Sequence, residues 1–275
     1  VNIDAVARRL KEPVLTVLAD APVISAYARN RGWPFILAWG HRISGIILAA
    51  YLLFHIYTLS YLHQPAAYDA QMRVYSLFIF SFLEWALAVP VAFHALNGGR
   101  LILYEIFGFR NDDLMIRWVF GLGGAYLFVL GLLMIIGDQT VSPVFFWLTV
   151  LTIAAAAAIL VWSRLKQSGL PWTWKIQRLT GGFLLVMICA HMFFMHLNPS
   201  LSHEAGAVID RMRHIFIKIV DLALLLAVLF HGGYGLLAIA KDYISSKVLT
   251  GLAALAVIVL MTVFGWIGVK LTLLV

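Results

Sequence analysis

Six polar residues set inside apolar segments recur in the same order along this chain. Arg42, with Ser44 and Gly45 behind it, is matched 136 residues later by Arg178, Thr180 and Gly181, and His55 is matched by His191 at the same offset. Glu84, His94 and Glu105 are matched by Asp221, His231 and Asp242 at an offset of 137. An ionisable group at the centre of a membrane helix costs roughly 2.5 to 3.5 kcal/mol when nothing meets it, so four histidines placed this way call for a partner. Imidazole is a ready axial ligand, and haem iron is the partner that four such histidines in two matched sets serve best.

The elements that carry them are membrane helices. With 63% hydrophobic and 12% charged residues and a mean hydropathy of +0.93, the chain is far more apolar than a soluble domain. Runs long enough to cross a hydrocarbon core of roughly 30 Å fall at 34–62, 75–107, 114–136, 143–163, 174–197, 214–240 and 247–272, which predicts seven transmembrane helices. Polar, Gly and Pro clusters separate them. Placing the N-terminus in the cytoplasm puts fifteen Lys and Arg inside and five outside, in agreement with the positive-inside rule. The net charge of +7 is then a topology signal and gives no support to nucleic-acid binding. Residues 1–32 lack a continuous apolar core, so they read as a segment on the inner face, amphipathic or in contact with a soluble partner, and not as a cleavable signal. The single cysteine, Cys189, excludes a disulfide framework and any cysteine-ligated cluster built by this chain alone.

Each copy of the repeat has three helices, and an odd number leaves the second copy starting on the wrong side. A connector helix corrects this. The expected organisation is all-α, a polytopic bundle of two parallel three-helix repeats, with an inner-face segment at 1–33, the first repeat at 34–137, the connector at 138–172 and the second repeat at 173–275.

Counting residues from the helix ends places His55 and His191 near the outer face, and His94 and His231 deeper toward the cytoplasm. Paired by depth across the two copies, they predict two bis-histidine haem b sites. Gly98, Gly99, Gly232, Gly233 and Gly235 would give a flat macrocycle the close backbone approach it needs. His63, His196, His203 and His214 lie at or beyond the outer ends, where water or headgroups meet them, while His41 beside Arg42 could line a site or meet a propionate. Glu84 and Asp221 each lie on the outer side of an inner histidine and are candidates for carrying protons, although Lys218 offers Asp221 an ion-pair partner.

The strings HRISG, FHALNGGRLILYE, QRLTG and FHGGYGLLAIAKDY together resemble the membrane anchors of succinate:quinone oxidoreductases, the succinate dehydrogenases and fumarate reductases. The chain is similar to a large and a small anchor subunit fused through a connector while keeping a two-haem ligand set. That resemblance implies that His94 and His231 bind the haem proximal to an iron–sulfur subunit and that His55 and His191 bind the distal one. It further implies a bacterial or archaeal cytoplasmic membrane, a flavoprotein subunit that carries the dicarboxylate chemistry, and quinone as substrate, with menaquinone favoured by the two haems. Arg42, Tyr243 and Asp242 match a proximal quinone site, in which the family's serine falls at Ala38. Arg42 and Arg178 fit a propionate clamp or headgroup contact as well as a quinone contact. Glu84 matches a glutamate of the two-haem anchors. The rival readings are a di-haem cytochrome b of another respiratory complex and a haem-free transporter built from parallel repeats.

Overall fold

The computed structural model describes residues 32–137, 139–197 and 200–274. The expected inner-face segment at 1–33 therefore lies, but for Gly32 and Trp33, outside the described residues. In chain order the helices are α1 (Trp33–Leu59, prolonged by a 3-10 turn Ser60–His63), α2 (Pro65–Tyr75), α3 (Phe78–Glu105), α4 (Asp112–Ile136), α5 (Pro143–Leu165), α6 (Trp172–Leu197), α7 (Ser200–His203), α8 (Ala205–Met212), α9 (Ile215–Tyr243) and α10 (Lys247–Leu274). Seven of these, α1, α3, α4, α5, α6, α9 and α10, are long and apolar enough to cross a membrane, and they coincide with the seven predicted runs. The protein is a multi-pass helical bundle.

Local chemistry sets the boundaries. Pro34 sits in the first turn of α1 and Pro143 opens α5, where a missing N–H costs nothing. The Asn111 side chain accepts from the Leu114 N–H, and Asp112 and Asp113 follow it in the first turn of α4, where negative charge suits the helix dipole. Gly108 and Gly137 end segments with φ of 74° and 58°, a conformation that disfavours a side chain. Pro90 lies inside α3 without ending it, as membrane helices tolerate.

The histidine-bearing helices make the centre. α1 touches α3, α3 touches α6, α6 touches α9, and α9 returns to α1, so the four form a closed ring. Outside it, α4 packs on α3 and α6 while α10 packs on α9 and α1. Exchanging α1 for α6, α3 for α9 and α4 for α10 turns this contact pattern into itself. The connector α5 lies outside the ring, packed chiefly on α6. Large apolar side chains such as Phe78, Phe128 and Ile135 point outward, as suits a lipid solvent, while a largely apolar interior also encloses Asn97 and Arg100.

Without a hydrophobic drive between helices, contact depends on small residues. A Cβ on Gly131 of α4 would stand 2.9 Å from the Trp85 indole, and one on Gly268 of α10 would stand 2.7 Å from Leu225. These glycines are 137 residues apart. The third helix of each set thus shares a repeated position, one marked by the absence of a side chain.

The connections at the end expected to face outward are more ordered than loops. Between the first two spans of each copy runs a short amphipathic helix, α2 or α8, and the two pack through Tyr68, Met72, Ala205, Val208 and Met212. The Tyr68 hydroxyl, pushed up to about 12 by burial and so fully protonated, donates to the Ser202 carbonyl at 2.6 Å. The Asp69 carboxylate accepts from the Ala205 N–H at 2.8 Å. Of the outer histidines expected to be solvated, His63 and His214 are exposed, whereas His196 and His203 are half-buried. Burial lowers the His203 pKa.

Gly131→Leu and Gly268→Leu should each wedge a third helix away from its neighbour and destabilise the protein by about 1 to 3 kcal/mol. Thermal unfolding in detergent checks this, with Gly121→Leu, whose Cβ meets nothing within 4 Å, as the neutral control.

Candidate functional site

Within the ring of four helices the histidines meet in two pairs. His94 of α3 faces His231 of α9 with ring centroids 6.2 Å apart and planes at 86°. His55 of α1 faces His191 of α6 at 6.1 Å and 84°. These are the pairs that depth alone predicted, and their geometry is nearly the same. Two imidazoles that each place a nitrogen about 2 Å from a shared metal have centroids roughly 6 Å apart. Both pairs therefore fit bis-histidine ligation of an iron. Among the described residues no cluster of three or more His, Cys, Asp or Glu exists that could hold a bare metal ion.

The inner pair is braced by the repeated Ser/Thr-Gly dipeptide. The Ser44 hydroxyl donates to the His41 carbonyl at 3.0 Å, and His94 Nδ1 lies 3.2 Å from that hydroxyl and 3.1 Å from the same carbonyl. The Thr180 hydroxyl lies 2.8 Å from the Ile176 carbonyl, to which it donates, and 3.3 Å from His231 Nδ1. The His41 carbonyl can only accept, so His94 donates from Nδ1 and leaves Nε2 bare, and the repeated hydroxyl at His231 Nδ1 is compatible with the same tautomer. The glycine that follows makes room for the ring. A Cβ on Gly45 would stand 3.0 Å from His94 Cε1, and one on Gly181 would stand 3.3 Å from His231 Cε1.

The glycines after the inner histidines divide their labour differently from the sequence expectation. Gly233 admits Met261 of α10, Gly99 admits Leu185, and Gly232 faces open space, so these serve helix contact or nothing nearby. Gly98 and Gly235 face the side chains of His41 and Gln177, which are themselves 136 residues apart. His41 stacks on His94 at 3.9 Å with planes 6° apart, and its Nδ1 is buried without a partner. Gln177 donates to the His231 carbonyl at 3.1 Å while its Oε1 is buried without a partner. Two orphaned polar atoms beside the inner pair suit a polar ligand group there. Sequence reading missed Gln177, whose only signal was its place in the repeat, beside Arg178.

At the inner end the repeated charges cross between copies. Arg42 pairs with Asp242 at 3.3 Å, and Arg178 pairs with Glu105 at 2.8 Å. The Arg42 guanidinium lies 5.7 Å from the Tyr243 ring, which in turn lies 5.3 Å from Trp39, and Arg178 lies 4.7 Å from Trp174. Ala38 contributes only its carbonyl, as acceptor from Arg42 at 3.3 Å.

A family model described as succinate dehydrogenase/fumarate reductase transmembrane subunit matches residues 29–131 and 161–266. The chain belongs to this family. It is 37% identical over 95 residues to the succinate dehydrogenase 2 membrane subunit SdhC of Mycobacterium tuberculosis, an alignment covering 33% of this chain and 69% of that protein. It is 32% identical over 72 residues to the succinate dehydrogenase hydrophobic membrane anchor subunit of Archaeoglobus fulgidus, covering 26% of this chain and 62% of that one. No solved structure matches significantly.

In this anchor the two acids sit by the outer pair. Glu84 is half-buried, with Oε2 enclosed and unpartnered, and at the outer pair the Tyr51 ring stacks on His55 at 5.7 Å. Asp221 does not rely on Lys218, which donates to the Leu273 carbonyl at 3.4 Å. The charge acting on Asp221 is Arg211 of α8, which lies 5.6 Å from the Phe194 ring. Burial pushes the Arg211 pKa down from its ordinary value, and Asp221 opposes that shift.

A double-mutant cycle on Arg178 and Glu105 should give a coupling of about 1 kcal/mol. The longer and more exposed Arg42–Asp242 pair should give a few tenths at most, both read from unfolding in detergent.

Proposed function

We propose that this chain is the di-haem b anchor of a succinate dehydrogenase or fumarate reductase, moving electrons between an iron–sulfur subunit and membrane quinone. The observation that carries the reading is the pair of facing histidine sets with matching spacing and angle. A flavoprotein and the iron–sulfur subunit are the partners, docked on the cytoplasmic face that also receives the N-terminus. The flavoprotein performs the dicarboxylate chemistry. Haem b at each pair would supply one-electron transfer across the membrane interior.

The residues then take distinct tasks. His94 and His231 hold the inner haem and His55 and His191 the outer one. Arg42, Arg178 and His41 stand beside the inner pair, where they neutralise propionates or meet a quinone headgroup. Arg42, Asp242 and Tyr243 form the inner quinone candidate, since the cation and the phenol both donate to a carbonyl oxygen. Glu84 holds or releases a proton beside the outer pair, because an acid enclosed in the membrane with a free oxygen can accept one at little cost. Asp221 has the same position in the second copy but feels the Arg211 charge, which makes it the weaker proton carrier.

The purified protein should show two b-type components in its reduced-minus-oxidised spectrum. His94→Ala or His231→Ala should remove one, and His55→Ala or His191→Ala the other; absence of any b-type band sinks the reading. Glu84→Gln should retain both components and lower quinone turnover by roughly a hundredfold, and unchanged turnover removes Glu84 from the mechanism.

A further inference from the structure

We propose that Thr180 and Ser44 are positioning residues that make the inner iron's ligands stronger donors. The proposal deepens the function above and rests on the inner histidine pair holding haem. An axial imidazole whose Nδ1–H is accepted by a fixed oxygen is more basic at Nε2, which favours ferric over ferrous iron. At the inner pair such acceptors are built in. Each hydroxyl is oriented by giving its own proton to a carbonyl one turn back, and the neighbouring glycine lets the ring settle against the backbone. The outer rings meet aromatic surfaces instead, His55 against Tyr51 and His191 against Trp147.

The two copies share this arrangement. His94 Nδ1 lies beside the Ser44 hydroxyl and the His41 carbonyl, and His231 Nδ1 lies beside the Thr180 hydroxyl, with the Gln177 backbone hydrogen-bonded to the same ring. Removing either hydroxyl leaves a backbone carbonyl in place and takes away the second oxygen that faces Nδ1. The Arg-x-Ser/Thr-Gly string is therefore a ligand saddle in which the hydroxyl tunes and the glycine admits.

The experiment is a spectroelectrochemical titration of the full-length protein in its complex, following both b-type components in the unsubstituted protein, Thr180→Val, Thr180→Ser and Ser44→Ala. Thr180→Val should raise the midpoint of the inner component alone, changing the ferrous-to-ferric ratio at the original midpoint about threefold to tenfold, where tenfold equals 59 mV for one electron. Thr180→Ser should restore it, and Ser44→Ala should shift the same component in the same direction. The proposal is overturned if Thr180→Val leaves that midpoint in place, if both components move together, or if the serine does not restore it. Should Thr180→Val fail to retain its inner haem, Thr180→Ala is titrated against the same criteria. An unsubstituted protein with no b-type bands overturns the functional reading itself, a result distinct from any of these.

Discussion

The structure depends on setting four half-buried imidazoles, and the groups that hold them, inside membrane-spanning helices, where unmet polar atoms are costly. A hydrocarbon environment charges the full cost of every unpaired donor and acceptor. The chain meets that constraint by closing α1, α3, α6 and α9 into a ring and turning the histidines inward. The outer helices α4 and α10 add packing through glycine contacts. The bundle thus sets its histidine pairs within an otherwise apolar interior, with further Leu, Phe and Ile facing outward.

Duplication solves a second problem, that of register. A facing pair needs two helices to stop at the right height relative to each other. The reciprocal ion pairs do this from the inner end, because the arginine of each copy reaches the acid of the other. At the outer end, α2 and α8 lock the copies through the Tyr68 and Asp69 hydrogen bonds. Charge and hydrogen bonding at the two ends, and small residues between, fix the height at which His55 meets His191 and His94 meets His231. Both pairs then show nearly the same spacing and angle.

Much of this was legible in the sequence, because a polar residue inside an apolar run is a strong signal and a repeated one is stronger. The seven spans follow from length and hydropathy, and the histidine pairing follows from counting along helices of fixed rise. What escaped was of other kinds. Gly131 and Gly268 act through the absence of a side chain, and a glycine in a membrane helix carries no label saying which neighbour it admits. The helices α2 and α8 are short and mixed in composition, so they read as loops. The cross-copy partners of Arg42 and Arg178 are 200 and 73 residues away in sequence, and only the closed ring brings them together. Gln177 showed itself only by standing where His41 stands in the other copy.

The departures from the repeat are as instructive as the repeat. Tyr243 corresponds to Ile106, Trp39 to Lys175 and Arg100 to Leu237, while the ligands and the clasp acids are kept. Arg100, buried and bonded to Asn97 and Asp112, ties α3 to α4 in the first copy alone. The two clasps have also diverged in tightness. Arg178 and Glu105 approach to 2.8 Å under Trp174, whereas Arg42 and Asp242 stand 3.3 Å apart beside the exposed ring of Tyr243. A guanidinium has five N–H donors, and a loose, exposed pair leaves more of them to serve a ligand than a tight, covered one does. Under the proposed function this assigns the two clasps different work: the Arg178 pair holds the copies in register, and the Arg42 pair, with a phenol at hand, faces the quinone. A duplicated scaffold can specialise one copy of a contact in this way because the other copy still performs the original task.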